Sequence, residues 1–467
     1  MSQTAFSSVK LNTHLLQNLN SLGYLEMTAI QALSLPPILA GKDIVAQGKT
    51  GSGKTAAFGL ALLEKLDVKQ FYVQALVLCP TRELADQVAN EIRKLARASR
   101  NTKVLTLCGG MPFGPQVGSL EHGAHIVVGT PGRVDEHLRK GKLDLARLTT
   151  LVLDEADRML DMGFQEVLDS IVEQTPKDRQ TLLFSATFPD EILSIVDRIT
   201  RQPEMVKVDS RHEEAVIEQH FFNIDHAGDG GAIPDARMTA LRLLLMKYRP
   251  QSTLVFCNTK RDTQAVANDL CDFGFHALAI HGDLEQKDRD HTLVRFSNKS
   301  VSILVATDVA ARGLDIDELD AVINYHIARD LEVHVHRIGR TGRAGNKGIA
   351  CSLYGEKERY KVGLLGDYLS RDIVSETLPS LDILDRPAFK STMATLQIDG
   401  GKKRKIRPGD ILGALTAGDG IEGKDVGKIH IFNTTAFVAV HREVAGAALK
   451  KLRDGKLKGR SFRVRRI

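Results

Sequence analysis

A glycine-rich segment that ends in a lysine and a threonine carries the clearest chemical signal of this sequence. It is Gly48-Lys49-Thr50-Gly51-Ser52-Gly53-Lys54-Thr55 and fits the pattern G-x-x-x-x-G-K-[ST]. Glycines let the backbone wrap closely around phosphate groups with its N–H groups pointing inward. Lys54 would add a positive charge at the β- and γ-phosphates, and the Thr55 hydroxyl can ligate Mg²⁺. A short apolar run precedes the segment and a helical pattern follows it, so we predict a strand–loop–helix that binds a nucleotide.

A second group of candidate residues is acidic and follows another short apolar run. It is Asp154-Glu155-Ala156-Asp157, directly after residues 151–153. A carboxylate at the carboxyl end of a parallel strand lies on the same edge of the sheet as a phosphate loop. We therefore expect Asp154 to hold the metal, through water, and Glu155 to polarise the attacking water. The alternative is a cluster of acids that merely caps a helix N-terminus.

The second half of the chain lacks a phosphate loop but carries a basic segment. The segment is His336-Arg337-Ile338-Gly339-Arg340-Thr341-Gly342-Arg343. On a helix, His336 and Arg340 would lie one turn apart on one face, with Arg343 just past a break at Gly342. Arginines that face the phosphate loop of another domain are what an arginine finger requires. The alternative is a basic cluster on the surface.

The elements that must position these residues follow an alternating pattern. Short apolar runs, typical of buried parallel strands, occur at 44–47, 75–78, 126–128, 151–153 and 182–184. Helical patterns such as 55–66 and 83–96 lie between them. A polar stretch at 209–214 interrupts the pattern, which restarts with runs at 254–256, 277–280, 303–305, 321–324 and 349–353. We predict an α/β protein with two parallel-sheet domains in tandem, the two halves being the only candidate repeat.

A third pattern begins after a proline-containing boundary at 378–391. Strands are predicted at 393–398, 428–432, 436–440 and 461–467, with helices at 410–415 and 443–452. The order βαββαβ is that of a small ferredoxin-like α+β sandwich. A glycine-rich stretch at 226–234, near the start of the second half, predicts an exposed loop.

Charge is distributed unevenly over the 467 residues, whose formal net charge is +5. Residues 391–467 carry 17 Lys and Arg against 7 Asp and Glu, a net charge of +10, which leaves −5 for the remainder. A basic domain on an acidic body indicates a polyanionic partner, most often nucleic acid, although a solvated basic face would have the same composition.

No apolar run approaches the ~18 residues of a membrane-spanning helix, and the start lacks the features of a signal peptide, so we expect a cytoplasmic protein. The five cysteines show no C-x-x-C spacing, which argues against a zinc site or a disulfide framework.

Taken in order, the motifs resemble those of the DEAD-box RNA helicases from about residue 6 to residue 365. Besides the phosphate loop, the acidic box and the basic segment, the matching motifs are Pro80-Thr81-Arg82-Glu83-Leu84-Ala85, Gly109-Gly110, Thr130-Pro131-Gly132-Arg133, Ser185-Ala186-Thr187, Val255-Phe256-Cys257-Asn258-Thr259, Gln286-x-x-Arg289, and the run from Ala306 to Asp315. The resemblance implies two RecA-like domains, at 1–209 for ATP binding and at 215–376 for the C-terminal helicase domain. It implies an RNA-dependent ATPase that remodels or unwinds short RNA duplexes, with ATP and Mg²⁺ as cofactors.

The resemblance also implies roles for individual residues. Adenine recognition falls to Phe6, Tyr24, Thr28 and Gln31, with Met27 standing where the family usually has proline. RNA contacts fall to Pro80, Thr81, Arg82, Gly110, Thr130, Arg133, Arg289 and Thr307, which would meet the RNA backbone and 2′-hydroxyls rather than the bases. Ser185 and Thr187 would couple hydrolysis to RNA binding. Lys54, Asp154, Glu155, His336, Arg340 and Arg343 form the implied catalytic set, and Asp315 joins the phosphate-loop residues at the nucleotide.

The basic end of the chain, at 392–467, resembles the RNA-recognition-motif-like domain of bacterial DbpA-type DEAD-box proteins. That resemblance implies 23S ribosomal RNA in pre-50S particles as the partner, with no obligate protein partner. Sheet aromatics that usually stack on bases are scarce, since the central strand offers only Phe437. Basic side chains are the better candidates for RNA contact: Lys402, Lys403, Arg404, Lys405, Arg407, Lys450, Lys451, Arg453, Lys456, Lys458, Arg460, Arg463, Arg465 and Arg466.

Two other functions remain open at the level of sequence. Helicase motifs alone do not exclude a DNA helicase, although the forms of the phosphate loop and of the acidic box favour RNA. A non-catalytic scaffold for ribosomal RNA is the second alternative, and the complete set of catalytic residues argues against it.

Overall fold

The computed structural model describes residues 4–48, 51–99, 101–188, 190–208, 217–226, 235–311, 319–342, 348–418 and 420–467. The chain separates into two compact units that divide near residue 213. The predicted linker at 209–214 and nearly all of the predicted loop at 226–234 lie outside the described residues. Within the described ranges, no helix is both long and apolar enough to cross a membrane.

The first unit is built on one parallel sheet. Its strands are β1 (Ile44–Gln47), β2 (Ala75–Leu78), β3 (Val104–Leu107), β4 (Ile126–Gly129), β5 (Thr150–Asp154), β6 (Gln180–Ser185) and β7 (Glu204–Lys207). They lie in the order β3-β4-β2-β5-β6-β1-β7, and every pairing is parallel. The central strands are buried along their whole length, as the continuous apolar runs predict.

Helices cover both faces of this sheet, because each crossover between parallel strands needs a helix. They are α1 (Thr13–Ser21), α2 (Ala29–Leu39), α3 (Lys54–Lys65), α4 (Arg82–Leu95), α5 (Phe113–Glu121), α6 (Pro131–Arg139), α7 (Ala156–Asp161), α8 (Gln165–Glu173) and α9 (Asp190–Ile199). Two separate apolar cores result, one on each face, with Phe58 and Phe184 in the first core and Leu76 and Met159 in the second.

The second unit begins with another parallel sheet of the same topology. Its strands are β8 (Ile217–Asn223), β9 (Thr253–Cys257), β10 (Ala277–Ile280), β11 (Ile303–Thr307), β12 (Ala321–Asn324), β13 (Gly348–Tyr354) and β14 (Ser375–Glu376). The order β10-β11-β9-β12-β13-β8-β14 repeats that of the first unit strand for strand. Its helices are α10 (Ala236–Tyr248), α11 (Lys260–Asp272), α12 (Gln286–Ser297), α13 (Asp308–Ala311), α14 (Leu331–Ile338) and α15 (Arg359–Tyr368). The predicted fold class is confirmed for both α/β domains.

The end of the second unit is a small antiparallel sheet with two helices. Its elements are β15 (Met393–Ile398), α16 (Pro408–Thr416), β16 (Val426–Ile431), β17 (Ala436–His441), α17 (Ala445–Asp454) and β18 (Val464–Arg466). The strands lie in the order β16-β17-β15-β18, and the chain order βαββαβ is the one predicted. One face of this sheet, with Leu396 and Val438, packs on α16 and α17 to form a separate core.

The other face of the small sheet packs against the α/β domain of the same unit. Thr395 is fully buried there, and its hydroxyl accepts a hydrogen bond from Asn298 Nδ2 at 3.1 Å and lies 2.7 Å from Ser300 Oγ. Phe437, only 1% exposed, meets the ring of His291 edge-on at 5.3 Å. Because His291 lies on α12 and Asn298 caps its C-terminus, this helix covers the central strands of the sheet.

A second set of contacts fastens the start of the small domain to its neighbour. Ser391 Oγ donates to the carbonyl of Ser300 at 2.8 Å and lies 2.8 Å from Nδ1 of His276. The Arg442 guanidinium donates to the carbonyl of Ser391 at 2.8 Å and to its hydroxyl at 2.6 Å. Burial, together with the Arg442 charge, lowers the pKa of His276 and so favours the neutral form of the ring.

We predict that Phe437→Ala destabilises this part of the molecule strongly. A buried phenylalanine replaced by alanine costs about 3–5 kcal/mol of unfolding free energy, because the cavity does not fully collapse. Urea unfolding followed by circular dichroism would measure the loss, and hydrogen exchange at the amides of β17 would assign it. Tyr360→Ala is the matched control: this ring is 64% exposed, so the change should cost less than about 1 kcal/mol. Equal effects of the two changes would contradict the burial described here.

Candidate functional site

The glycine-rich loop joins the carboxyl end of β1 to the first residue of α3. Gly51 and Gly53 have φ angles of 82° and 92°, in the left-handed region that favours glycine. A Cβ atom at Gly53 would also lie 2.5 Å from the Gln31 side-chain amide nitrogen, so a larger residue would displace that side chain. The Lys54 side chain is buried and its Nζ donates to the carbonyl of Gly48 at 2.6 Å. Lys49 and Thr50 lie outside the described residues, and Ser52 and Thr55 are placed in the loop and on α3 as expected.

Two of the four predicted adenine-recognition residues contact the loop itself. Thr28 Oγ1 donates to the carbonyl of Ser52 at 2.7 Å, and Gln31 Nε2 donates to the carbonyl of Gly53 at 3.0 Å. The Gln31 carbonyl oxygen accepts from the Thr28 backbone at 2.9 Å, which closes a capping box at the start of α2. The segment that would read the base is thus bonded directly to the segment that would hold the phosphates.

The other two predicted adenine-recognition residues make different contacts. Phe6 is 4% exposed and belongs to the apolar core on this face of the sheet. The Tyr24 hydroxyl donates to Glu91 at 2.7 Å and accepts from Lys94 at 3.0 Å, both on α4. Their contacts are therefore structural, and no described contact joins either ring to the loop.

The acidic box stands at the carboxyl end of β5, in the middle of the sheet. Asp154 is 2% exposed, and within the described part of the chain its Oδ1 is buried without a hydrogen-bond partner. Burial raises the pKa of the Asp154 carboxyl to about 7, despite the opposing charge of Lys54. A buried carboxyl oxygen without a hydrogen-bond partner is one that a bound cation would satisfy.

The residues present fit a magnesium ion bound mainly through water and phosphate. Mg²⁺ commonly takes one or two protein oxygens and keeps several water molecules. Asp154 and the Thr55 hydroxyl supply such oxygens, and within the described residues no group of three or more His, Cys, Asp or Glu side chains could enclose a metal. A bound ion would stabilise negative charge that develops on the phosphate oxygens.

Asp157, the last residue of the box, bonds to the end of the neighbouring strand β6. Its Oδ2 accepts from the backbone N–H groups of Ala186 and Thr187 at 3.2 and 3.1 Å and from the Thr187 hydroxyl at 3.0 Å. Ser185 Oγ in turn donates to the carbonyl of Thr187 at 2.7 Å. These bonds tie Ser185 and Thr187, predicted as coupling residues, to the acidic box.

Three loops at the carboxyl ends of β2, β3 and β4 carry the predicted RNA contacts of the first domain. The Thr81 hydroxyl caps α4 by accepting from Leu84 at 3.3 Å, and Pro80 and Arg82 flank it. The Gly109 N–H donates to Thr130 Oγ1 at 3.4 Å, and Gly110 adopts a φ of 71°. Since β3, β4 and β2 are adjacent in the sheet, the three loops lie side by side at one edge of it.

Arg133 is bound within the domain. Its Nη1 donates to the carbonyl of Met111 at 2.9 Å and its Nε lies 3.0 Å from Glu136. The side chain is 12% exposed and lies over the Phe113 ring. Its described contacts therefore brace the Gly109-Gly110 loop against α6, a role that the sequence did not indicate.

Arg337 organises the corresponding edge of the second domain, a role that was not predicted from the sequence. Its guanidinium donates to Asp308 at 2.6 and 2.8 Å and to Asn258 at 2.9 Å, which follow β11 and β9. It also donates to Asn324 at 3.2 Å, the last residue of β12, and to the carbonyl of His326 at 2.7 Å. Polar residues at three adjacent strand ends were the signal in the sequence, since a buried set of acceptors requires a multivalent donor.

The other predicted residues of the second domain are placed as follows. Thr307 ends β11 and is 9% exposed, and Arg289 lies half-buried on α12. The prediction that His336 and Arg340 share a helix face is wrong, because α14 ends at Ile338 and the buried Arg340 lies two residues beyond it. Gly339 follows the last helical residue and ends the helix early. Arg343 and Asp315 lie outside the described residues.

The basic residues of the small domain are mostly exposed. Lys402 to Lys405 are all exposed, and the Lys458 ammonium donates to the carbonyl of Lys405 at 2.7 Å. This bond brings the basic segments at 402–407 and 456–460 together on one surface. Thr395 and Phe437, by contrast, are covered by α12, so the middle of the sheet offers no ring for base stacking.

A parallel sheet with a phosphate loop and a buried acidic box, followed by a second sheet of the same topology, defines a nucleotide-driven helicase of two α/β domains. Comparison with known families agrees. Residues 28–195 match the DEAD/DEAH box helicase model, 236–345 the helicase conserved C-terminal domain, and 395–466 the DbpA RNA binding domain. The chain belongs to the DEAD-box ATP-dependent RNA helicases, and within them it is of the DbpA type.

Individual relatives support this assignment along the whole length. The chain is 53% identical to the ATP-dependent RNA helicase DbpA of Escherichia coli over 463 residues, covering 99% of both chains. It is 36% identical to the protein of that name from Bacillus subtilis, covering 98% of both. The structure of S. cerevisiae Dbp5 bound to RNA and ADP BeF3 superposes with a TM-score of 0.71 at 28% identity, covering 82% of this chain and 97% of that one. The protein is thus an RNA-dependent ATPase that acts on RNA.

We predict that Arg337→Leu lowers the free energy of unfolding by about 3–5 kcal/mol, because it leaves the Asp308 carboxylate and two amide oxygens without their donor. Guanidinium chloride unfolding would measure the loss. Arg359→Ala is the control, since Arg359 is 70% exposed in its ion pair with Glu356 and water screens such a pair, so the change should leave the unfolding curve nearly unchanged. A loss below about 1 kcal/mol for Arg337→Leu would show that this arginine is not the organising residue.

Proposed function

We propose that this RNA helicase is directed by its C-terminal domain to 23S ribosomal RNA and remodels short duplexes there during assembly of the 50S subunit. The observation that carries the proposal is the basic domain, which matches the DbpA RNA binding domain over residues 395–466. Its net charge of +10 on a body of −5 would concentrate RNA binding at this end of the chain. Such a substrate would place the protein in the cytoplasm.

We propose three domains with boundaries at 1–209, 215–376 and 392–467. The first binds ATP through the loop from Gly48 to Thr55, with Thr28 and Gln31 at the adenine. Their bonds to the loop carbonyls of Ser52 and Gly53 support this assignment. Phe6 and Tyr24 are proposed to shape the adenine end of the site, and Asp315 to contact the nucleotide from the second domain.

We propose that Lys54 holds the β- and γ-phosphates, that Asp154 and Thr55 hold Mg²⁺, and that Glu155 positions the attacking water. The buried, unpartnered oxygen of Asp154 supports the metal assignment. Arg340 and Arg343 are proposed to supply positive charge to the transferred phosphoryl group, and His336 to assist them. A developing charge on phosphate oxygens is stabilised best by such fixed donors.

RNA is proposed to bind along the strand-end loops through Pro80, Thr81, Gly110, Thr130 and Thr307. The adjacency of three of these loops in the first sheet supports a continuous track for an RNA backbone. Arg82, Arg133 and Arg289 are proposed to add charge, Arg133 mainly by holding two of the loops together. Ser185 and Thr187, bonded to Asp157, are proposed to link this track to the acidic box.

We predict that Glu155→Gln abolishes ATP turnover but keeps ATP binding, because the amide cannot take a proton from the attacking water. Lys54→Ala should instead weaken nucleotide binding itself, since it removes the charge that contacts the phosphates. Equilibrium binding of a fluorescent ATP analogue and the RNA-stimulated ATPase rate separate the two effects. Wild-type turnover in Glu155→Gln would exclude the proposed role.

We predict that removal of residues 391–467 separates RNA preference from ATP binding. Every nucleotide motif precedes residue 344, so the shortened protein should still bind ATP, although the uncovered face of α12 calls for a melting curve as a folding control. Its ATPase should respond equally to 23S rRNA fragments and to unrelated RNA, whereas the full chain should prefer 23S rRNA.

A charge-reversal variant tests the same proposal without deleting the domain. Lys402→Glu with Lys403→Glu should weaken binding of 23S rRNA and reduce its salt dependence, since log Kd changes by roughly 0.7–0.9 per log unit of salt for each phosphate contact. Glu443→Lys, which changes an exposed charge elsewhere in the domain, is the control. Unchanged preference for 23S rRNA in both the shortened protein and the variant would show that specificity lies in the two α/β domains.

A further inference from the structure

Arg158 follows the acidic box directly and points back into it. It lies in the first turn of α7, and its Nη1 is 2.7 Å from Oε2 of Glu155. Both side chains are only 5% exposed. The Arg158 backbone N–H also donates to Asp157 Oδ1 at 3.0 Å, so the main chain of this residue is held by the box as well.

Burial makes this ion pair different from an ordinary pair on a helix surface. Exposed i, i+3 pairs contribute little, because water and salt screen them. A buried pair requires removal of both charges from water. The guanidinium is then stabilised only where a negative charge lies next to it, as the Glu155 carboxylate does here. The position of Arg158 is therefore set by the carboxylates of the box.

The backbone of Glu155 constrains the same side chain from its other end. Its φ angle is 54° and ψ is 52°, a left-handed conformation that non-glycine residues adopt rarely. Such conformations persist where the surrounding structure enforces them, and they concentrate at functional sites. The backbone fixes the direction of the Cα–Cβ bond, and Arg158 fixes one carboxylate oxygen. Glu155 is thus held at both ends, with Oε1 left outside this ion pair.

We propose that Arg158 is a positioning residue for Glu155. Its ion pair with Oε2 holds the carboxylate in one orientation, so that Oε1 can accept a proton from the attacking water. This inference rests on the proposed role of Glu155 as the water-positioning group. Without Arg158 the carboxylate would rotate within the site and the attacking water would lose its alignment, which costs rate rather than ATP affinity.

Replacement of Arg158 should therefore lower kcat selectively. For Arg158→Gln we expect RNA-stimulated kcat to fall about 10²-fold, with the KM for ATP and the affinity for a fluorescent ATP analogue within about threefold of wild type. Arg158→Lys keeps a cation at the site and should recover part of the rate. Wild-type kcat in Arg158→Gln would overturn the proposal, and so would equal losses in Arg158→Gln and Arg158→Lys.

Arg179→Gln is the matched control for a merely structural effect. Arg179 is a buried arginine of the same domain, 7% exposed, and it donates to the carbonyls of Pro176 and Ile199 rather than to the box. We expect this variant to melt at a lower temperature with kcat unchanged. If Arg158→Gln does not fold, Arg158→Lys carries the test: we expect its kcat to be reduced severalfold at wild-type ATP affinity, and wild-type kcat would overturn the proposal.

A double-mutant cycle shows whether Arg158 acts through Glu155. The residual rate of single-turnover hydrolysis of radiolabelled ATP, followed over hours with saturating 23S rRNA, is measured for Glu155→Gln with and without Arg158→Gln. We expect no further loss in the double variant, because the carboxylate that Arg158 orients is already absent. The same loss in both backgrounds would contradict the proposal. If Glu155→Gln alone hydrolyses ATP at the wild-type rate, the role of Glu155 fails instead, which distinguishes the two failures.

Discussion

Parallel strand pairing imposes the constraint on which the rest of this structure depends. All seven strands of each large sheet end at one edge, so parallel pairing alone brings together the polar residues that follow them. The same crowding creates a problem, because many of these polar groups are buried and need partners. Asp157 provides one solution in the first domain, where one oxygen accepts three hydrogen bonds from the end of β6. Arg337 provides the other in the second domain, where one guanidinium serves three strand ends.

The two α/β domains share a topology and divide the chemistry between them. Strand β1 leads into the phosphate loop, whereas its counterpart β8 leads into a short helical turn at Ile224–His226. Strand β5 ends in Asp154 and its counterpart β12 ends in Asn324, a neutral residue that accepts from Arg337. At this pair of equivalent strand ends, the first domain thus presents a buried carboxylate and the second a neutral amide held by a buried arginine.

Local pattern was sufficient to predict the elements that are apolar and buried. The bounds of β1, β2, β10, β12 and β15 were predicted to the residue, because continuous apolar runs or strict alternation mark such strands. Strands β3, β7, β8 and β14 were missed, since β3 has half-exposed residues at its centre and most residues of the other three strands are not buried. The end of α14 was also misjudged, as a helical spacing alone does not show that Gly339 stops the helix.

The site was predicted less completely, since partners distant in sequence determine it. Motif spacing singled out Lys54, Asp154 and Glu155, and residue type predicts a role for each of them. It did not reveal that Arg133 braces a loop or that Arg158 faces Glu155, because those roles depend on which groups burial leaves nearby. The sequence of residues 392–467 likewise does not show that one face of the small sheet is covered, because the helix that covers it, α12, lies in the preceding domain.

The covered sheet face limits how far the C-terminal domain can be treated as an interchangeable module. Thr395, Phe437 and Ser391 have their partners on α12 and the segment after it, namely Asn298, Ser300 and His291. If the C-terminal domain alone were fused to another helicase, the Thr395 hydroxyl and the Phe437 ring would be exposed unless their partners were transferred as well. If C-terminal RNA-binding domains are exchanged between such helicases, by recombination or by design, the junction would therefore have to lie before α12.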